Sequence, residues 1–67
     1  MYDLSSVSAR EQAAVAAFIA VLKDQDHKRR FDIAVEEERL RKVLRAMGRD
    51  DSYITEAVRY AYSQQER

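Results

Sequence analysis

Residues 13–22 read Ala-Ala-Val-Ala-Ala-Phe-Ile-Ala-Val-Leu and form the longest uninterrupted apolar run of the chain. The large side chains of this run recur at i, i+3, i+4 and i+7, the spacing of one face of an α-helix: Val15, Phe18, Ile19 and Leu22. The run has ten residues, whereas a membrane-spanning helix needs roughly 20. The stretch therefore predicts a buried helix and no membrane span.

The residues before this run mark where the helix starts. Ser8-Ala9-Arg10-Glu11 has the pattern of a capping box. In that motif the Ser8 hydroxyl accepts a hydrogen bond from the backbone N–H of Glu11, and the Glu11 side chain reaches back to the N–H of Ser8. A polar break follows at residues 24–27, where Asp26 is a candidate cap for the next element. We therefore place the first helix at about residues 9–25.

The other side of this helix is made of alanine, so its middle has no polar face. A helix that is apolar all round is expected to be buried all round, and one layer of a 67-residue chain can hardly cover it. Small domains without disulfides or metals tend to rely on self-association, and this chain has no cysteine. We therefore expect a homodimer whose interface contains Ala13, Ala16, Ala17, Ala20, Phe18 and Val21.

Composition limits the remaining choices. A chain of 67 residues predicts a single domain. One glycine and no proline argue against a fold rich in β-turns. The N-terminus lacks the positively charged region of a signal peptide, which favours a cytoplasmic protein. Formal net charge is zero, but residues 28–49 hold eight basic against four acidic side chains, a net charge of +4.

Residues 28–47 allow two interpretations. As one helix, they place Ile33, Leu40, Leu44 and Met47 in a stripe, with Phe31 and Val35 on the opposite face. As an extended segment, residues 31–35 place Phe31, Ile33 and Val35 on one face, because side chains alternate along a strand. Both interpretations predict helix from Glu36 to Met47.

Gly48 is the only glycine and directly follows the last residue of this stripe, as a left-handed helix C-cap requires. Asp50, Asp51 or Ser52 is then the N-cap of a last helix at about residues 52–65. The fold expected from these elements is all-α, with three helices or a helical hairpin plus a short helix. The last residues, from Gln64 onward, are expected to fray.

No residue pattern indicates catalysis or a cofactor. His27 is the only histidine, and Asp24, Asp26 and His27 match no standard spacing of zinc ligands. A phosphate-binding loop needs several glycines, and the chain has one. We therefore expect a protein that is not an enzyme and carries no cofactor or metal.

The second half of the chain resembles the ribbon-helix-helix family of DNA-binding proteins. The resemblance covers residues 29–35 as the strand, 36–47 as the first helix, 48–52 as the turn and 53–59 as the second helix. It implies a dimer whose paired strands enter the major groove, with Arg30, Asp32 and Ala34 facing the bases. The nucleic-acid contacts under this alternative are Lys28, Arg29, Arg30 and Asp32. Asp50 and Asp51 depart from the pattern, since they lie where a phosphate should approach.

A neutral net charge and the absence of catalytic groups favour a different function. We expect a small regulatory protein that binds a larger protein partner and inhibits or recruits it. The alternative is a dimeric DNA-binding transcriptional regulator of the ribbon-helix-helix type, or of the helix-turn-helix type with residues 36–65 as its two helices. The residues expected to contact that partner are the basic side chains of the second helix and two tyrosines of the last: Arg39, Arg41, Lys42, Arg45, Tyr60 and Tyr62.

Overall fold

The computed structural model describes residues 2–24 and 30–65, with residues 30 and 31 described by their backbone alone. Its elements are a short 3-10 helix at Leu4–Ser6 and three α-helices, α1 at Ala9–Lys23, α2 at Arg30–Ala46 and α3 at Asp51–Gln65. None of the described residues lies in a β-strand. The expected all-α fold of three helices is confirmed. Asp26 and the final residues 66 and 67 lie outside the described residues.

Helix α1 begins where the sequence predicted, but only half of the predicted capping box forms. The Ser8 hydroxyl accepts a hydrogen bond from the backbone N–H of Glu11 at 3.3 Å. The Glu11 side chain does not return to Ser8; it points into the protein and is fully buried. At the other end, the backbone N–H of Asp24 donates to Ala20 and Val21, and the helix stops at Lys23, before the predicted end at about residue 25.

Helix α2 resolves the ambiguity of residues 31–35, which are helical along their whole length. The strand interpretation is therefore wrong, and with it the strand that a ribbon-helix-helix protein needs. Burial explains the outcome, because the helical stripe carries the core contacts: Leu40 and Leu44 are buried, and Ile33 and Met47 pack against the core. Val35 lies on the opposite face and is 42% exposed, whereas a strand would have placed it beside Ile33.

The connection between α2 and α3 has the predicted chemistry. Gly48 has a φ of +86°, a left-handed conformation that residues with a Cβ rarely adopt. The N–H of Gly48 donates to the carbonyl of Arg45, and the N–H of Arg49 donates to the carbonyl of Leu44, which together form a Schellman motif. Asp50 then caps α3, because its carboxylate accepts the N–H of Tyr53 at 2.8 Å.

The core lies where α1 packs against both α2 and α3. Its buried apolar side chains come from the N-terminal segment and all three helices: Tyr2, Val15, Phe18, Leu22, Leu40, Leu44, Ile54, Ala57, Val58 and Ala61. Residues 2–7 form a strap that packs against α1 and α3. The strap is held to α1 by the Gln12 amide, which donates to the carbonyl oxygens of Leu4 at 3.0 Å and Val7 at 3.4 Å.

Candidate protein-binding surface

The side of α2 that faces away from the core is basic and partly apolar. We call it the α2 outer face; its exposed residues are Ala34, Val35, Glu38, Arg39, Lys42, Arg45 and Ala46. Val35, Arg39 and Lys42 are spaced i, i+4 and i+7 and form one row along the helix. Val35 is one of two large apolar side chains that are exposed in the described residues. Three of the six predicted partner-binding residues lie on this face.

The cations of the α2 outer face are weakly engaged within the protein. Arg39 pairs with Glu36 at 3.6 Å, and the Arg39 side chain is 69% exposed. Arg45 pairs with Asp51 at 3.1 Å and is 60% exposed. Ion pairs this exposed contribute at most about 1 kcal/mol each, because water and salt screen them. Exchanging Glu36 or Asp51 for another carboxylate would therefore cost little.

Arg41 and Tyr62, also predicted to bind the partner, lie elsewhere and share one acceptor. Glu37 accepts a hydrogen bond from the Tyr62 hydroxyl at 2.8 Å and one from the Arg41 Nε at 3.2 Å. The Tyr62 ring packs edge-on against Phe18 with centroids 5.7 Å apart. Partial burial and the hydrogen bond to Glu37 raise the pKa of Tyr62 to about 12. The Tyr62 hydrogen bond joins α3 to α2, whereas the Arg41 contact lies within α2.

Tyr60, the last of the predicted contacts, packs against the strap. Its ring centroid lies 5.3 Å from that of Tyr2, and it is partly buried. The structure therefore separates the predicted set into a group on the α2 outer face (Arg39, Lys42 and Arg45) and three side chains with partners inside the protein.

Glu11 forms a buried polar cluster that sequence reasoning missed. Its Oε2 accepts hydrogen bonds from the hydroxyls of Tyr2 at 2.7 Å and Tyr53 at 2.5 Å. Its Oε1 accepts from the Arg49 guanidinium at 3.3 Å, and that guanidinium lies 4.7 Å from the centroid of the Tyr53 ring. Because Tyr2 belongs to the strap and Tyr53 to α3, one carboxylate ties three segments together.

The cluster keeps Glu11 ionised and its two tyrosines neutral. Burial opposes the charge of Glu11, but the hydrogen bonds from Tyr53 and Tyr2 and the charge of Arg49 outweigh burial and lower the pKa of Glu11. Burial and the Glu11 carboxylate raise the pKa of Tyr2 and of Tyr53. All polar atoms of this buried group are satisfied, which identifies it as a stabilising contact between segments.

A signal for this cluster was present in the sequence. Glu11 precedes Val15, Phe18 and Leu22 at i+4, i+7 and i+11, so it continues the apolar stripe of α1. A charged residue on such a stripe is expected to be buried with a partner. The capping-box pattern predicted a hydrogen bond from the Ser8 N–H to the same carboxylate, and the buried cluster was therefore not predicted.

The residues predicted for the dimer interface fall into two groups. Ala13, Ala16, Ala17 and Ala20 are exposed on the side of α1 turned away from the core, with Ala17 at the edge next to α2. Val21 is half-buried at the edge, and Phe18 is buried in the core of the single chain. The described part of the chain therefore leaves uncovered the alanine side that was expected to be buried. Beside it, Ala14, Ala17, Arg39 and Val43 line an open cleft of about 150 Å³ between α1 and α2.

The predicted nucleic-acid contacts are only partly visible. Lys28 and Arg29 lie outside the described residues, and Arg30 begins α2 with its side chain undescribed. Asp32 is half-buried in the first turn of α2, so it is not part of an exposed strand. His27 also lies outside the described residues. Within residues 2–24 and 30–65, no three side chains of His, Cys, Asp or Glu are grouped closely enough to hold a metal ion.

Comparison with known proteins yields no relative. No protein-family model, no curated protein and no solved structure matches the chain significantly. None of the described helices has the length and apolar character needed to cross a membrane.

Proposed function

We propose that this protein is a small non-catalytic regulator that binds and modulates a larger protein, and that the α2 outer face is its contact surface. One observation supports the proposal most: Val35 is 42% exposed in a row with Arg39 and Lys42 on a helix whose opposite side is buried. Protein interfaces combine an apolar centre with a polar rim and are enriched in Arg, and this row places an apolar side chain beside Arg39 with Lys42 at its edge. We place the protein in the cytoplasm as part of the same proposal.

The charge of this face defines the partner's surface. The α2 outer face carries one acidic side chain, Glu38, and three basic side chains, Arg39, Lys42 and Arg45. Lys42 makes no ion pair with any other described residue. A partner with carboxylates around an apolar patch would pair with these cations and cover Val35. The partner's apolar patch would gain most from Val35, and its carboxylates would set the orientation and the rate of association.

DNA is a poorer fit than an acidic protein. A helix-turn-helix formed by α2 and α3 would place the start of α3 in the major groove. The exposed residues of that first turn and a half include Asp51 and Glu56, which would repel phosphates. The ribbon-helix-helix alternative requires residues 31–35 to form a strand, and these residues are helical. We therefore retain protein binding as the single proposed function.

The test is a pull-down from host lysate with tagged protein, nuclease treatment and quantitative mass spectrometry. The decisive variant is Arg39→Glu with Lys42→Glu, which reverses two cations of the α2 outer face. The matched control is Lys23→Glu with Arg59→Glu, which reverses two exposed cations on α1 and α3 and causes the same change in formal charge. Circular dichroism of both double variants verifies that the fold is retained.

The proposal predicts that the wild type and the control recover one protein in stoichiometric amount, and that the Arg39/Lys42 variant loses it. We expect the affinity to fall more than tenfold, which is about 1.4 kcal/mol or more. Equal recovery by both double variants would remove the α2 outer face from the interface. Recovery of nucleic acid alone, with nothing left after nuclease, would contradict protein binding.

A further inference from the structure

The uncovered side of α1 has a regular order of residues. Arg10, Ala13, Ala17, Ala20 and Asp24 follow one another at intervals of three, four, three and four, and all five are exposed. This is the heptad spacing that lets one helix pack along another. The row is about 21 Å long, since an α-helix rises about 1.5 Å per residue. We call this row the α1 outer row.

The charges at the two ends of the row are opposite, which makes the row complementary to itself. If two copies pack antiparallel about a two-fold axis at Ala17, Arg10 of each copy lies beside Asp24 of the other, and Ala13 lies beside the other copy's Ala20. In a parallel pair, Arg10 would meet Arg10 and Asp24 would meet Asp24, which repel each other. A two-fold interface requires that one surface fit a second copy of itself, and the antiparallel arrangement satisfies this requirement.

Small side chains allow the two helices to approach closely. Alanine at the three central positions lets two helix axes approach to about 8 Å, the short end of the usual range. The cleft between α1 and α2, lined by Ala14, Ala17 and Val43, lies along the edge of the row, and its volume of about 150 Å³ leaves room for a side chain of the partner's helix. The charged side chains at the two ends of the row stay at the rim of such an interface, where they remain partly hydrated. Association therefore removes only part of their bound water.

We propose that the α1 outer row binds a second copy of this chain in antiparallel orientation, with the two-fold axis at Ala17. The row itself indicates a second copy as the partner, because its small apolar residues lie between a cation at one end and a carboxylate at the other. This inference concerns a different helix from the α2 outer face and does not rest on the proposed function.

The absence of cysteine from the natural chain allows a direct geometric test. Single variants Ala13→Cys, Ala17→Cys and Ala20→Cys are oxidised with glutathione disulfide, and dimers are quantified on non-reducing gels. Thr55→Cys, at an exposed position of α3, is the matched control for random collision. A disulfide needs a Cα–Cα distance of about 4.4–6.8 Å, which helices about 8 Å apart provide only for residues that face each other directly across the interface.

The antiparallel arrangement predicts a distinct pattern of cross-links. Ala17→Cys should dimerise much faster than Thr55→Cys. Ala13→Cys alone should match the Thr55 control, because its two copies would lie about 12 Å apart along the helices. A mixture of Ala13→Cys and Ala20→Cys should form the mixed dimer. Rapid dimerisation of Ala13→Cys alone would indicate a parallel pair, and dimerisation of Ala17→Cys no faster than the control would refute the interface.

Sedimentation equilibrium supplies an independent readout without cross-linking. Wild-type protein should sediment at twice the chain mass of 7.8 kDa, and Ala17→Glu, which places two carboxylates at the axis, should sediment at the chain mass while remaining helical. Arg10→Asp alone should weaken the dimer, and adding Asp24→Arg should restore it, because the exchanged charges are again complementary. A wild type that sediments as a single chain at millimolar concentration would overturn the proposal.

Discussion

Replacing Glu11 with glutamine should destabilise the protein more than any other change of a single charge. The substitution keeps the shape of the side chain and removes its charge. Glu11 is fully buried, and its carboxylate accepts hydrogen bonds from Tyr2, Tyr53 and Arg49. The amide group has one acceptor oxygen, so the two phenols and the guanidinium then compete for it, and the amide NH₂ faces donors.

The size of the effect follows from the three contacts. A hydrogen bond to a charged group contributes about 1.5–3 kcal/mol, and two phenols donate to Glu11. Arg49 is 40% exposed, so its ion pair adds no more than about 1 kcal/mol. Removing the charge also removes the cost of burying it, which offsets part of the loss. We expect a net loss of about 3 kcal/mol in the free energy of unfolding, or about 12–24 °C in Tm for a domain of this size.

The assay is urea and thermal unfolding followed by circular dichroism at neutral pH. Glu37→Gln is the matched control, because Glu37 also accepts one tyrosine hydroxyl and one arginine, but its side chain is 28% exposed. That change should cost less than about 1 kcal/mol. If Glu11→Gln costs no more than Glu37→Gln, the Glu11 carboxylate does not hold the strap and α3 to α1, and its hydrogen bonds contribute no net stability.

Further predictions concern pH, the turn and the core. Because the pKa of Glu11 is lowered by folding, the free energy of unfolding should fall as the pH drops below the ordinary value of 4.5, and this acid loss should be smaller in Glu11→Gln. Because folding raises the pKa of Tyr62 to about 12, stability should also decline as the pH rises above 10.0, and Tyr62→Phe should remove its share of that decline in a pH titration of Tm. Gly48→Ala should cost about 1 kcal/mol in urea unfolding, because φ is +86° and no atom stands near the new Cβ, so a neutral result would refute backbone strain as the cause. Leu44→Ala should cost about 2–5 kcal/mol by the same assay, since Leu44 is fully buried, and a loss below about 1 kcal/mol would show that the core repacks around it.

The ends of the helices could be predicted from the sequence because local chemistry sets them. Ser8 and Asp50 accept backbone N–H groups within three residues of themselves, and Gly48 adopts a conformation that side chains oppose. Such interactions depend on neighbours along the chain, so they are visible in the sequence. The positions of α1 and α3 followed to within two residues.

Long-range contacts could not be predicted in the same way. Glu11 meets Tyr53 and Arg49 across about forty residues of sequence, and no local pattern indicates which acid reaches which tyrosine. The secondary structure of residues 31–35 could not be predicted for another reason. Over so short a segment, the pattern of apolar and polar residues fits a strand and a helix equally well. Ile33 is in contact with the core and Val35 is exposed, and this difference depends on where α1 lies.

The candidate surface was predicted in part. The basic character of α2 is evident from composition, and Arg39, Lys42 and Arg45 are exposed together on its outer face. Arg41 is also a basic residue of α2, but its side chain lies on the side of the helix nearer α3, where it donates a hydrogen bond to Glu37. Sequence alone could not separate these residues, because the separation depends on where α3 packs.

The most direct test of the proposed function locates the partner on the chain. Once the partner protein is recovered, it is titrated into ¹⁵N-labelled protein, and amide chemical shifts are followed by NMR. Protein binding by the α2 outer face predicts perturbations concentrated between Ala34 and Ala46, with their largest values at Val35, Arg39 and Lys42. Perturbations confined to α3 or the strap, with the amides of α2 unchanged, would contradict it.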